Sequence, residues 1–221
     1  MPRQARIVIP NTPHHITQRG NYRQPVFDKE KDYKQYAEWI NEYTQESNLS
    51  IAAYCLMSNH VHFIAIPKHE QDLSGVFKTA HMRYSHYLNR NRGIKGHLWQ
   101  GRFYSCVLDD KHLYRAIRYI ENNPVRANIA KYAWEYPYSS AKDHLGLRDK
   151  PLIKIKEYKF IKKQDWKEYL KEDDPGLNQE IRLKTNRGLA LGTDKFIKDL
   201  ERKLKRSLKC LKWGRPRKDT Q

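Results

Sequence analysis

Residues 49–66, "LSIAAYCLMSNHVHFIAI", constrain the fold more than any other stretch. Two runs of strand-forming apolar residues stand with only Ser58 and Asn59 between them. A two-residue connection of turn-forming type can join only neighbouring antiparallel strands. The chain therefore predicts a β-hairpin, with strands over 49–57 and 60–67. Side chains alternate along a strand. His60, His62, Ile64 and Ile66 then share one face, and Val61, Phe63 and Ala65 the other. The two imidazoles lie roughly 6 to 7 Å apart at the Cα atoms, so both can reach one divalent metal ion, for which neutral imidazole is a common ligand. The plain alternative is two polar residues at a strand end, satisfied by solvent. The pair needs a partner from elsewhere in the chain.

The surroundings of the hairpin supply an architecture. "HHITQRGN" (14–21) has strand character. "DKEKDYKQYAEWINEYTQES" (28–47) has helical character, with Tyr36, Ile40 and Tyr43 on one face. Residues 72–91 carry a second helical stripe, Leu73, Val76, Phe77, Ala80, Tyr84 and Tyr87. "RFYSCVLD" (102–109) is a further strand, and 110–123 a helix stopped by Pro124. The order β-α-β-β-α-β and a closing helix predicts an α+β, ferredoxin-like antiparallel sheet with helices packed on one face.

The helix over 110–123 offers the partner. At about 100° per residue, Leu113, Ala116, Ile117 and Ile120 form its core stripe. Tyr119 points well away from that stripe. Asn123 follows one turn later on the same side, whereas Tyr114 faces about half a turn from Asn123. Taken alone, these are two amphipathic surface tyrosines and an asparagine capping a helix before proline.

Taken in order, "HHITQRGN", "SNHVHFI" (58–64), "LWQGRFYSCVL" (98–108) and "YIENNPVRA" (119–127) resemble the HUH single-tyrosine nucleases. Within them the chain is most similar to Y1 transposases of the REP-associated tyrosine transposase type, over roughly residues 5 to 145. The resemblance implies a ferredoxin-like fold and cleavage of single-stranded DNA through a 5′-phosphotyrosine on Tyr119. It implies a divalent metal, Mg²⁺ or Mn²⁺, held by His60 and His62. The third ligand falls on Asn123, where relatives with glutamine differ. It implies a partner in single-stranded hairpin DNA of repeated palindromes, bound by a monomer or a homodimer. Arg19, Asn21, Tyr22 and Arg23 match the region that reads bases beside the cleavage site, the bland alternative being a polar loop. Trp99, Gln100 and Arg102 match a further signature, with Arg102 a candidate DNA contact.

Charge agrees with a polyanionic partner: 43 Lys and Arg stand against 25 Asp and Glu, a formal net charge of +18. The 15 tyrosines add faces that can stack on bases. Cys55, Cys106 and Cys210 are far apart with no CxxC, which predicts a reducing compartment and no zinc site. No apolar run approaches spanning length, so the expected location is the cytoplasm, in contact with the nucleoid, with no membrane partner.

Charge is uneven. Residues 1–150 carry net +8 and residues 151–221 net +10. A boundary near 145–155 divides a nuclease domain (1–150) from a basic, mostly helical DNA-binding extension (151–221), expected to add affinity and not chemistry. In that extension Phe196, Ile197, Leu200, Leu204, Leu208 and Leu211 make one stripe. "GRPRK" (214–218) then resembles an AT-hook, with Arg215, Arg217 and Lys218 for the minor groove and Trp213 where an arginine usually stands. Two other functions compete. A two-histidine phosphoesterase needs two His-x-Thr/Ser motifs, and "HIT" (15–17) supplies only one. A non-catalytic nucleic-acid-binding protein could keep the same fold.

Overall fold

The structure is a computed structural model that describes residues 5–156 and 162–208. Its centre is a five-stranded sheet in the order β2-β3-β1-β4-β5. Strand β1 (His14–Arg19) leads to helix α1 (Glu30–Glu46), then to β2 (Ser50–Met57) and β3 (His60–Ile66). Helix α2 (Asp72–Arg92), β4 (Tyr104–Leu108) and α3 (Asp110–Glu121) follow. Two single turns come next, α4 (Asn123–Arg126) and α5 (Ala141–His144). The remainder is α6 (Lys163–Tyr169), α7 (Pro175–Arg187), β5 (Ala190–Leu191) and α8 (Asp194–Leu204). The predicted hairpin is present, with Met57 opposite His60 across Ser58 and Asn59. Among the described residues no helix is long and apolar enough to cross a membrane.

Two features depart from expectation. The helices pack on both faces of the sheet, not one. Tyr54, Leu56, Val61 and Phe63 face a cluster with α1 and α2, whereas Ala53, Cys55, Met57 and Ile64 face α3. The cause lies in β2 and β3, whose residues are buried almost without alternation. Strands apolar on both sides need two covers. The sheet is also mixed, because β5 pairs parallel with β4 through Val107↔Ala190 and Leu108↔Leu191.

Each helix that matters to the site is fixed locally. Asp109 caps α3 by accepting from the His112 backbone N–H at 2.9 Å. Asp174 caps α7 in the same way at 3.0 Å, followed by Pro175 at the first helical position. After β1 the chain turns at Gly20, whose N–H donates to the Asn59 carbonyl. A Cβ there would meet the Gln24 carbonyl at 2.3 Å, so only glycine lets β1 turn this tightly beside the hairpin.

Residues beyond 150 belong to the same packing. Trp166, Leu170, Leu177, Ile181 and Leu191 sit in one apolar cluster with Ile117, Tyr119 and Ile120 of α3. The Asn122 side chain donates to the Leu170 carbonyl at 2.8 Å. Glu121, fully buried, accepts from Ser140 Oγ at 2.5 Å and Trp166 Nε1 at 3.1 Å, and pairs with His144 Nδ1 at 2.6 Å. Among the described residues, the basic extension forms three helices and one short strand, and its apolar side chains join α3 on the second face of the sheet.

Two outcomes follow from this packing. Each of those five apolar side chains contributes about 1.5–3 kcal/mol by burial. A chain ending at residue 150 is thus expected to lose its cooperative melt and to bind a hydrophobic dye, which calorimetry and fluorescence would register. The second outcome concerns His144. Burial alone would lower its pKa, but the charge and hydrogen bond of Glu121 outweigh burial and raise it above 6.5. The pair's stability is then fully present below about pH 6.5 and is lost as pH climbs through the raised value. The gap in Tm between the parent and His144→Gln should narrow from pH 6 to pH 9; a constant gap would contradict the pairing.

Candidate active site

Strands β3 and β1 are adjacent and antiparallel, with Thr17 opposite His62 and Arg19 opposite His60. His15, His60 and His62 therefore lie on the face covered by α3 and α7. The His60 and His62 rings are 4.9 Å apart at their centroids and nearly perpendicular. The His15 and His62 rings lie edge to edge with near-parallel planes, centroids 5.0 Å apart and Nε2 of His15 2.8 Å from Nδ1 of His62. Nδ1 of His60 lies 2.6 Å from Asn59 Oδ1. In both His60 and His62 the Nδ1 atom is thus engaged. Nε2 has no hydrogen-bond partner among the described residues.

Tyr119 enters from α3. It was expected to stand clear of the apolar stripe, yet it is 4 % exposed. The side of α3 that carries it faces the histidines and not solvent. Its ring meets His62 edge-on at 6.0 Å and His15 edge-on at 5.7 Å. Tyr114, on the other flank of α3, packs instead against Trp166. The two tyrosines thus lie on different flanks of α3, with Tyr119 alone of the two beside the histidines.

Asn123 lies one turn after Tyr119, at the start of α4. Its Oδ1 accepts from Arg126 Nη2 at 2.9 Å, and its Nδ2 is buried with no partner. The same Arg126 nitrogen donates to the Tyr119 carbonyl at 2.7 Å, and its guanidinium carbon stands 4.4 Å over the Tyr119 ring. Arg126 was not among the residues singled out from sequence, though it lies in the quoted "NPVRA". Arg182 and Thr185 of α7, and His15, were missed as well. His15 stood out only within "HHITQRGN" and as the histidine of the "HIT" motif, not as a partner of His62. No local pattern marked the α7 pair, because their part depends on how α7 docks.

The electrostatics are one-sided. Burial, then the charge of Arg126, lowers the His15 pKa to about 3. Burial, then Arg19, Arg182 and Arg126, lowers that of His60 to about 3. His62 falls well below its ordinary value through burial and its histidine neighbours. The lowered pKa values favour neutral rings at physiological pH, and of the three only His60 and His62 have a ring nitrogen without a protein partner. Arg19, Arg126 and Arg182 converge on this neutral group, an arrangement suited to a phosphate.

The other sequence candidates fall elsewhere. Asn21–Arg23 form a single 3₁₀ turn beside the site, with Tyr22 and Arg23 at positive φ and Tyr22 91 % exposed. Trp99 is core: its Nε1 donates to the His81 carbonyl at 3.1 Å. The Gln100 backbone N–H donates to the Arg19 carbonyl at 3.0 Å, which fixes the end of β1. Arg102 is exposed and lines a cleft with Arg6, Phe103 and Arg187, away from the histidines. Trp213, Arg215, Arg217 and Lys218 lie outside the described residues, as do Cys210 and Leu211.

A metal would have to be held without carboxylates, since among the described residues no three His, Cys, Asp or Glu side chains gather into a metal site. The two Nε2 atoms fit the imidazole part of a two-imidazole, one-carbonyl set that leaves positions open for substrate, and Asn123 Oδ1 would complete it only on leaving Arg126 Nη2, to which it is bonded at 2.9 Å.

Among solved structures, a REP-associated tyrosine transposase bound to a REP hairpin is similar, at TM-score 0.54 and 19% identity over 72% of this chain and 96% of that one. A candidate transposase from Deinococcus radiodurans R1 is 17% identical over 54% of this chain and 95% of its own, with a TM-score of 0.38. No curated protein sequence matches significantly. At such identity the first of these structures establishes shared fold. The family model described as "Transposase IS200 like" matches residues 9–123, a span that takes in His15, His60, His62, Tyr119 and Asn123. With over half its length matched, the chain belongs to the IS200-like transposase family.

Proposed function

We propose that this transposase is a metal-dependent single-strand DNA endonuclease and strand transferase that works through a 5′-phosphotyrosine on Tyr119. The observation that carries the reading is the Tyr119 ring edge-on to His62 at 6.0 Å, beneath a guanidinium and beside two open imidazole nitrogens. His60 and His62 would hold Mg²⁺ or Mn²⁺ through Nε2, with Asn123 Oδ1 as third ligand once it releases Arg126. Bound there, the ion supplies positive charge that polarises and orients the scissile phosphate.

The protein's own groups do the rest. Tyr119 Oη attacks phosphorus, the bond from phosphorus to the 3′ oxygen breaks, and the 5′ phosphate becomes esterified to the tyrosine. The phenol gives up one proton and the departing 3′ oxygen takes up one, so the step is proton-neutral overall. A 3′-hydroxyl can later attack the phosphotyrosine and rebuild the backbone, which is strand transfer. Arg126, over the ring, favours negative charge as it develops on the phenolic oxygen. Arg19 and Arg182 hold phosphate oxygens. Burial of Tyr119 keeps water from competing with the strand.

Hairpin DNA from repeated palindromes is the proposed substrate, supported by the hairpin bound in the structural relative. Tyr22, exposed between Arg19 and Arg23, is placed to stack on an unpaired base. The extension, with its net +10, adds phosphate contacts, and its "GRPRK" end suits a minor groove.

Tyr119→Phe should bind single-stranded hairpin DNA like the parent and form no covalent adduct on a denaturing gel with Mn²⁺, while Tyr114→Phe keeps most activity. A trapped DNA-linked peptide modified at any other tyrosine would sink the assignment. His60→Ala and His62→Ala should abolish nicking and weaken binding only modestly, and full nicking by either would exclude a ligand role. Arg126→Lys loses the stacked planar charge. Its single-turnover rate should fall about 10²-fold with little change in DNA affinity.

A further inference from the structure

His15 is 1 % exposed and uses both ring nitrogens inside the protein. Nε2 meets His62 Nδ1 at 2.8 Å, and Nδ1 meets Thr185 Oγ1 at 2.8 Å, across 170 residues of chain. A neutral imidazole has one N–H and one lone pair. The polarity of one of these bonds therefore fixes that of the other, and only two arrangements exist. In the first, the Thr185 hydroxyl donates to His15 Nδ1, and His15 Nε2–H donates to His62 Nδ1. His62 must then carry its proton on Nε2 and has no lone pair there. In the second, His62 Nδ1–H donates to His15 Nε2, and His15 Nδ1–H donates to Thr185 Oγ1. Nε2 of His62 is then a bare lone pair.

The surroundings of His62 favour the second arrangement. Its Nδ1 is engaged by His15 and its Nε2, beside the His60 ring, has no acceptor among the described residues. A proton on Nε2 would be an unpaired buried donor, whereas a bare lone pair there leaves no donor unpaired. The ring planes of His15 and His62, tilted by only 7°, keep the two bonded nitrogens in line.

We infer that His15 and Thr185 form a positioning relay that holds His62 as its Nδ1–H tautomer, so that helix α7 of the basic extension helps to build the ligand set. The inference rests on the proposed reading of His60 and His62 as metal ligands. It gives the extension a part in chemistry beyond affinity. His15 and Thr185 touch neither metal nor DNA; they act through His62, as partners behind ligating histidines generally do.

The full-length, metal-free parent, labelled with ¹⁵N-histidine, should show His62 with a protonated Nδ1 and a pyridine-type Nε2 in long-range ¹H–¹⁵N spectra. Thr185→Val removes the terminal acceptor at almost constant shape. It should shift His62 towards the other tautomer and weaken Mn²⁺ binding about 10–100-fold by calorimetry, with Tm nearly unchanged. Thr185→Ser should restore both readouts. His15→Gln, which offers a carbonyl oxygen to His62 Nδ1–H, should bind Mn²⁺ better than His15→Leu. A metal-free parent with His62 protonated on Nε2 overturns the relay without recourse to any variant, as does a folded Thr185→Val with unaltered Mn²⁺ affinity and unaltered His62 shifts. Failure of the ligand reading looks different. There the parent binds no Mn²⁺ that His60→Ala removes, while the tautomer and its response to Thr185→Val still report on the relay.

Discussion

A polar ring in the middle of a sheet covered on both faces must find partners within the protein, because water does not reach it. His62 is such a ring, and the arrangement around it follows from that demand. Its Nδ1 is met by His15 from the neighbouring strand, and His15 in turn by Thr185 from a helix 170 residues away in sequence. The only ring nitrogen left is the one beside His60 and Tyr119. Burial also keeps the three imidazoles neutral, so the site presents lone pairs where exposed histidines would be partly protonated.

Three guanidiniums around a neutral core are mutually repulsive, and the site bears that cost. Burial and neighbouring arginines pull the Arg19 pKa below its usual value. Arg126 is partly relieved by lying over the Tyr119 ring and by donating to the Tyr119 carbonyl and Asn123. An incoming phosphate removes the repulsion, so part of the affinity for DNA is stored beforehand as strain among like charges. The same hydrogen bond that quiets Arg126 occupies Asn123 Oδ1. Phosphate and metal would therefore draw on one shared element, the short turn after α3.

Much of this was legible in the sequence, and the limits are instructive. The hairpin at 49–66 fixed the register that sets His60 and His62 on one face, since a period-two pattern and a two-residue turn leave one solution. Helical spacing separated Tyr119 from Tyr114. The second helical layer was also present in the unbroken apolar runs of β2 and β3, whereas the element order β-α-β-β-α-β implied only one covered face. His15, Arg182 and Thr185 were not legible, because their neighbours in space are not their neighbours in sequence. Thr185 sits in a lysine-rich helix whose composition suggests only solvent and phosphate, and its place is decided by Leu177 and Ile181 packing below it.

The pairing of β5 with β4 has a temporal meaning. Residues 190 and 191 add the last strand to the sheet, and the helix before them carries Thr185 to His15. Contacts that span such long stretches of chain form late, since the entropy of closing the loop is lost before the contacts repay it. A nascent chain that has emerged only as far as α3 already holds both hairpin histidines and the tyrosine, but not the helix that covers them. The order in which the ribosome delivers these segments thus keeps the hairpin histidines and Tyr119 apart from their finished pocket until most of the polypeptide has been made.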